Sequence, residues 1–213
     1  MALVKICGLS TPETVRAAMD GAAAYLGFAF FANSPRNIGP EDAARLAAPA
    51  RGTAAKVVAL MVDPDNAALD RVVAALRPDF IQLHGKETAA RVREIAMRAG
   101  VGVIRALPVS EAADIEAARA FDGVAEHLMF DAKPPPDAER PGGLGAPFDW
   151  TLLSGHRFSR PHFLAGGLDP WNVGEAVRLS GAPIVDVSSG VERGAGLKDP
   201  ALIKAFLEAV RRA

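Results

Sequence analysis

The sequence predicts an α/β chain folded as one closed (β/α)8 barrel, and three observations carry that expectation. Short apolar runs alternate with longer amphipathic stretches, the patterns of buried strands and of surface helices. The runs number eight. The chain has 213 residues, a length that suits one core, so a single domain over residues 1–213 is expected. Alternation of strand and helix implies parallel neighbours, because a parallel pair needs a crossover. Eight such units favour a closed barrel over an open sheet.

The first run, LVKICGL (3–9), stops at Gly8 and meets a helix start signal, STPE, at once. Pro12 sits where a missing N–H costs nothing, and TPETVRAAMDG then runs to a stop at Gly21. YLGFAF (25–30) leads through a loop holding Ser34-Pro35-Arg36 to a helix over GPEDAARLAA, opened by Pro40. AKVVALMV (55–62) precedes DNAALDRVVAAL, and DFIQLHG (79–85) precedes KETAARVREIAMRAG with its stop at Gly100. GVIRALPV (102–109) precedes SEAADIEAARAFDG. HLMFDA (127–132) enters a Pro/Gly-rich stretch, AKPPPDAERPGGLGAP (132–147), whose length marks a functional lid, and FDWTLLSG reads as the helix after it. HFLAGGL (162–168) and PIVDVSSG (183–190) are followed by DPWNVGEAVRLSG and DPALIKAFLEAVRRA, with Pro170 and Pro200 near their starts.

Composition excludes several function classes. The net charge is −1 with basic residues scattered, so no nucleic-acid partner is expected. A lone cysteine allows no internal disulfide, which fits a reducing, cytoplasmic setting. Lys5 interrupts the first apolar run, so no signal peptide is expected, and no apolar stretch is long enough to span a bilayer. No His/Cys/Asp cluster has metal-ligand spacing, and neither a G-x-S-x-G, a P-loop nor a dinucleotide fingerprint occurs. Metal and cofactor are therefore expected to be absent.

In a barrel, catalytic residues belong at the C-terminal ends of the strands. Lys5 and Cys7 lie two apart and share a strand face. An ammonium one layer below the thiol would favour the thiolate. Gln82 and His84 share a face of strand four, Asp131 ends strand six, and Arg36 follows strand two. Taken singly, His84 reads equally as a structural histidine and Asp131 as a cap or ion-pair partner, while a lone cysteine such as Cys7 is more often a small core hydrophobe and a lone loop arginine such as Arg36 is usually just solvated. Strands seven and eight end in small residues, Gly166 and Gly167, then Ser189 and Gly190. Backbone N–H groups there suit a phosphate dianion, since many barrels bind phosphate at these two loops.

The motifs KICGL (5–9), FFANSPR (30–36), QLHG (82–85), FDAK (130–133), and GG-x-G followed by FDW (142–150) run in order along the chain. LAGGLDP-x-NV (164–173), VDVSSGVE (185–192) and G-x-KD (196–199) complete the set. Together they resemble the phosphoribosylanthranilate isomerase family, barrel enzymes of tryptophan biosynthesis. The resemblance implies an Amadori rearrangement of a small phosphosugar with no cofactor, run by a monomer or else a homodimer. It puts the family's general base at Cys7, its general acid at Asp131 and its carboxylate-binding arginine at Arg36. Lys5, Gln82, His84 and Asp186 join the substrate-binding set, and Ser188 joins the phosphate-binding group. Two departures are Leu144, where the family commonly has threonine, and Pro147 before FDW.

The chemistry requires an acid to protonate the ribose ring oxygen as the ring opens and a base to take the proton from C2′. A thiolate beside a protonated carboxylic acid inverts the ordinary order of these side chains, about 8.5 for cysteine and about 3.9 for aspartate. Lys5 is the expected means of favouring the thiolate. A non-catalytic phosphate-binding barrel would keep the glycines but leave Cys7, Asp131 and Arg36 without a common reason.

Overall fold

The computed structural model describes residues 1–134 and 147–213. Eight parallel strands close into a barrel in chain order: β1 (Leu3–Ile6), β2 (Tyr25–Phe30), β3 (Lys56–Met61), β4 (Phe80–Leu83), β5 (Gly102–Val109), β6 (His127–Ala132), β7 (Phe163–Leu164) and β8 (Ile184–Val187). The seam joins β1 to β8 in parallel, with Lys5 opposite Asp186. Helices α1 (Pro12–Asp20), α2 (Pro40–Ala47), α3 (Asn66–Leu76), α4 (Ala89–Ala99) and α5 (Ala112–Ala118) follow the first five strands. Helices α6 (Val173–Ser180) and α7 (Pro200–Arg212) follow β7 and β8. Among the described residues no helix is long and apolar enough to cross a membrane.

Local chemistry explains the boundaries. Side chains of Thr11, Asp65, Thr88 and Asp199 accept backbone N–H groups at the starts of α1, α3, α4 and α7. Gly100 and Gly181, both at φ 66°, end α4 and α6 in the left-handed conformation.

Strand alternation sorts the core into two layers. One parity, including Ile6, Leu26, Phe28, Ile81 and Phe130, packs outward against the helices in the larger buried cluster. The other parity contributes Tyr25, Val58, Ile104, Met129, Phe163 and Ile184 to a separate inner cluster that fills the barrel. Tyr25 and Phe163 meet edge to face at 5.1 Å there. The inner parity continues upward through Cys7, Gln82, Asp131 and Asp186 into an open cleft.

Two stretches differ from expectation. FDWTLLSG forms only a four-residue 3-10 turn, Trp150–Leu153: the Asp149 cap and Gly155 in the left-handed region (φ 76°) leave five positions between them, too few for two turns of α-helix. Between β8 and α7, strands β9 (Glu192–Gly194) and β10 (Leu197–Lys198) form an antiparallel hairpin that periodicity did not suggest. Most of the expected lid, including Leu144, lies outside the described residues, whereas Pro147 is described and exposed.

Candidate active site

The strand ends enclose a cleft of about 720 Å³, counting its open mouth. Of the expected site residues, Cys7, Arg36, Gln82, His84, Asp131 and Asp186 line it. So do Gly166, Gly167, Ser188 and Ser189. Lys5 and Gly190 do not.

Cys7 is the first residue past β1 and is 3 % exposed. Its N–H donates to the Val187 carbonyl at 2.9 Å, so the barrel seam fixes the base of the thiol. Below it Lys5 is fully buried, and its Nζ donates to Asp186 Oδ1 at 2.7 Å. A Cβ on Gly27 would lie 3.1 Å from Lys5 Nζ and 3.2 Å from Cys7 Sγ. The bare glycine of β2 therefore makes room for both groups. Burial pushes the Cys7 thiol above its ordinary pKa; Lys5 opposes this without overcoming it, and Asp186 adds to it. The sequence-based expectation that Lys5 sets the balance is thus corrected: desolvation outweighs the cation. Burial also acts against the Lys5 ammonium, but Asp186 and Cys7 prevail and raise its pKa, so it stays charged.

Asp131, next to last in β6, lines the cleft. Its Oδ1 accepts the Ala132 N–H at 2.9 Å, and its Oδ2 lies 3.2 Å from His84 Nε2. The structure thus brings these two candidates together. Gly166 at φ 86° passes so close that a Cβ would sit 2.8 Å from Asp131 Oδ1 and 2.4 Å from the Ala132 nitrogen. Only glycine fits, both for space and for backbone conformation. Gln82 donates Nε2 to Met129 Sδ at 3.3 Å, while its buried Oε1 has no partner among the described residues. Gly190 serves packing: a Cβ there would fall 1.9 Å from the Leu168 carbonyl oxygen, so the loops after β7 and β8 can meet only without one.

Arg36 is not free to swing. Its Nε and Nη2 donate to the two oxygens of Glu192 at 2.7 and 2.9 Å. Glu192 Oε1 also accepts from Lys198 Nζ at 2.5 Å, and Oε2 from the Gly196 N–H at 3.1 Å. Burial works against the Glu192 carboxylate, but Arg36 and Lys198 prevail and hold its pKa below the ordinary value. Lys198 reaches on to the Ser188 carbonyl at 3.0 Å, and Ser188 Oγ donates to the Cys7 carbonyl at 3.2 Å. One chain of contacts thus runs from Arg36 to the thiol-bearing strand. Nothing in the sequence alone marks Glu192, Lys198 or Gly27 as part of this network. The first two stood inside quoted motifs, but nothing local shows that they fold back on Arg36.

A family model described as N-(5'phosphoribosyl)anthranilate (PRA) isomerase matches residues 4–209. An N-(5'-phosphoribosyl)anthranilate isomerase of Caulobacter vibrioides is 70% identical over 209 residues, 98% of this chain and 95% of that protein. The solved phosphoribosyl anthranilate isomerase of Thermotoga maritima superposes with a TM-score of 0.89 at 34% identity, covering 100% of both chains. A phosphoribosyl anthranilate isomerase in complex with reduced 1-(o-carboxyphenylamino)-1-deoxyribulose 5-phosphate superposes at 0.85 with 32% identity, again over 100% of both chains.

Proposed function

The chain belongs to the N-(5'-phosphoribosyl)anthranilate isomerase family, and on that premise we propose that Cys7 and Asp131 carry the two proton transfers of its reaction. The enzyme is an isomerase of tryptophan biosynthesis, a role that fits the cytoplasm. Its substrate is N-(5'-phosphoribosyl)anthranilate, and the product is 1-(o-carboxyphenylamino)-1-deoxyribulose 5-phosphate.

One observation carries the assignment of roles. Cys7 and Asp131 open into the same cleft from β1 and β6, strands separated around the barrel only by β8 and β7. The loops after those two intervening strands supply Gly166, Gly167, Ser188 and Ser189 for the phosphate. A phosphosugar anchored there has its ribose between the acid and the base. Asp131 protonates the ring oxygen, the C1′–O bond breaks, and an iminium forms. Cys7 as thiolate then removes the C2′ proton, and the resulting enolamine tautomerises to the ketone. Lys5 keeps a positive charge under the thiol and so favours the ionised form that does this work. Arg36 takes the anthranilate carboxylate. Glu192 occupies its Nε–Nη2 edge, so the outer edge, Nη1 with the second N–H of Nη2, is the one left to grip it.

The test is turnover of purified Cys7→Ser and Asp131→Asn, followed by anthranilate fluorescence with substrate generated in situ. Each should fall by at least ~10²-fold, the scale of a lost positioned acid or base, while the reduced product still binds. Near-normal turnover of either folded variant removes that residue from its role.

A further inference from the structure

Behind the cleft lies a buried ion pair that the chemistry above does not use. Arg105 of β5 is 4 % exposed and Glu87, in the loop after β4, is 5 % exposed. Arg105 Nη1 stands 2.9 Å from Glu87 Oε2, and the guanidinium lies over the Phe121 ring at 5.2 Å. Neither side chain lines the cleft.

What the pair holds is backbone. Arg105 donates through Nη1 to the Leu83 carbonyl at 3.1 Å and through Nη2 to the Gly85 carbonyl at 3.0 Å. Glu87 accepts the Gly85 N–H at 2.9 Å and the Asp63 N–H at 2.8 Å. Leu83 and Gly85 are the two neighbours of His84. The β4–β5 ladder ends where Leu83 pairs with Arg105, so the sheet fixes no backbone on that side beyond Leu83. The Arg105 side chain takes over at that point. On the other side the His84 N–H donates to the Met61 carbonyl at 3.0 Å. Asp63, a non-glycine residue at φ 43°, is bent into this network and accepts the Lys86 N–H at 2.7 Å.

We propose that the Arg105–Glu87 pair is a positioning device: it clamps the backbone on both sides of His84 and so holds the imidazole against Asp131. The inference rests on the reading of Asp131 as the general acid. Buried ion pairs seldom add net stability over an apolar pair of similar volume. An apolar pair, however, could not hold these carbonyl and N–H groups. His84 would then be free to drift from its 3.2 Å contact, and Asp131 would lose the group beside Oδ2.

The experiment compares Arg105→Lys and Glu87→Gln with the parent enzyme for kcat, KM and affinity for the reduced product. Lysine keeps the charge but cannot bond two carbonyls and a carboxylate through one planar fork. A displacement near 1 Å at a reacting group costs up to about 10²-fold, so kcat should fall about 10- to 10²-fold while affinity stays within about threefold. Each change is repeated in a His84→Ala background. If the pair acts through His84, its kcat effect there should shrink to under about threefold. An equal factor in both backgrounds, or kcat unchanged in the folded single variants, overturns the proposal. Where a single variant fails to fold, the Arg105→Met/Glu87→Leu double variant leaves no buried charge unpaired and must show the same kcat loss. Asp131→Asn is assayed alongside. Full turnover by that variant sinks the acid assignment itself. An inactive Asp131→Asn beside fully active Arg105 and Glu87 variants sinks only the clamp.

Discussion

His162, just before β7, is 7 % exposed, and its buried Nε2 has no hydrogen-bond partner among the described residues. Phe130 and Phe158 stand edge-on to its ring at 5.7 and 5.2 Å. Burial first, and the neighbouring His156 second, hold its pKa down at about 4. Above about pH 6.5 the ring is neutral in folded and unfolded chains alike, so it contributes no pH dependence. As pH falls from there towards about 4, the unfolded chain takes up a proton that the folded one refuses. Stability should therefore drop across that window by up to about 3 kcal/mol and level off below it. His162→Phe should remove this component, seen as a flatter urea midpoint against pH. Parallel losses in variant and parent would mean that other groups carry the acid sensitivity.

The β9–β10 hairpin is the element that fixes a loop arginine in place. Its turn packs on the Arg36 loop: a Cβ on Gly196, at φ 77°, would meet the Pro35 carbonyl oxygen at 2.5 Å. From β9, Glu192 then takes one edge of the Arg36 guanidinium. Glu192→Gln keeps one acceptor oxygen but turns an amide donor against Arg36 and against either Lys198 or the Gly196 N–H. Affinity for the reduced product should weaken by about 1.5–3 kcal/mol, the scale of hydrogen bonds to charged groups. An analogue without the aryl carboxylate should lose much less, as isothermal titration would show. Equal losses for both ligands would mean that the hairpin merely stiffens the rim.

At the scale of the molecule, barrel closure brings the two ends of the chain together. β1 pairs with β8, and α7 packs across the seam with Ile203, Phe206, Leu207 and Val210 buried. Arg211 Nη2 donates to the Gly21 carbonyl at 2.6 Å, tying α7 to the end of α1. Burying an aliphatic or aromatic side chain contributes about 1.5–3 kcal/mol. Four of them match the whole net stability of an ordinary domain, about 5–15 kcal/mol. A chain ending at Asp199 should show no cooperative thermal transition by circular dichroism, whereas Phe206→Ala should fold and lose about 3–5 kcal/mol. A sharp melt in the truncated chain would show that the barrel stands without its last helix.

Periodicity is a local property, so the sequence by itself determined the eight strands, their order and the parity that turns Lys5 and Cys7 to the same side. It also placed Asp131, Gly166 and Ser189 at strand ends, where a barrel holds its chemistry. FDWTLLSG misled because the Asp149 cap and the left-handed Gly155 leave too few positions between them for an α-helix. The tertiary structure alone decided three matters. It paired Arg36 with Glu192 across 156 positions of the chain, and it set the Arg105–Glu87 pair behind His84. It also set the sign of the shift at Cys7, where desolvation overrides the adjacent ammonium. Each depends on burial or on the distance between residues remote in sequence, and those quantities exist only once the barrel has closed.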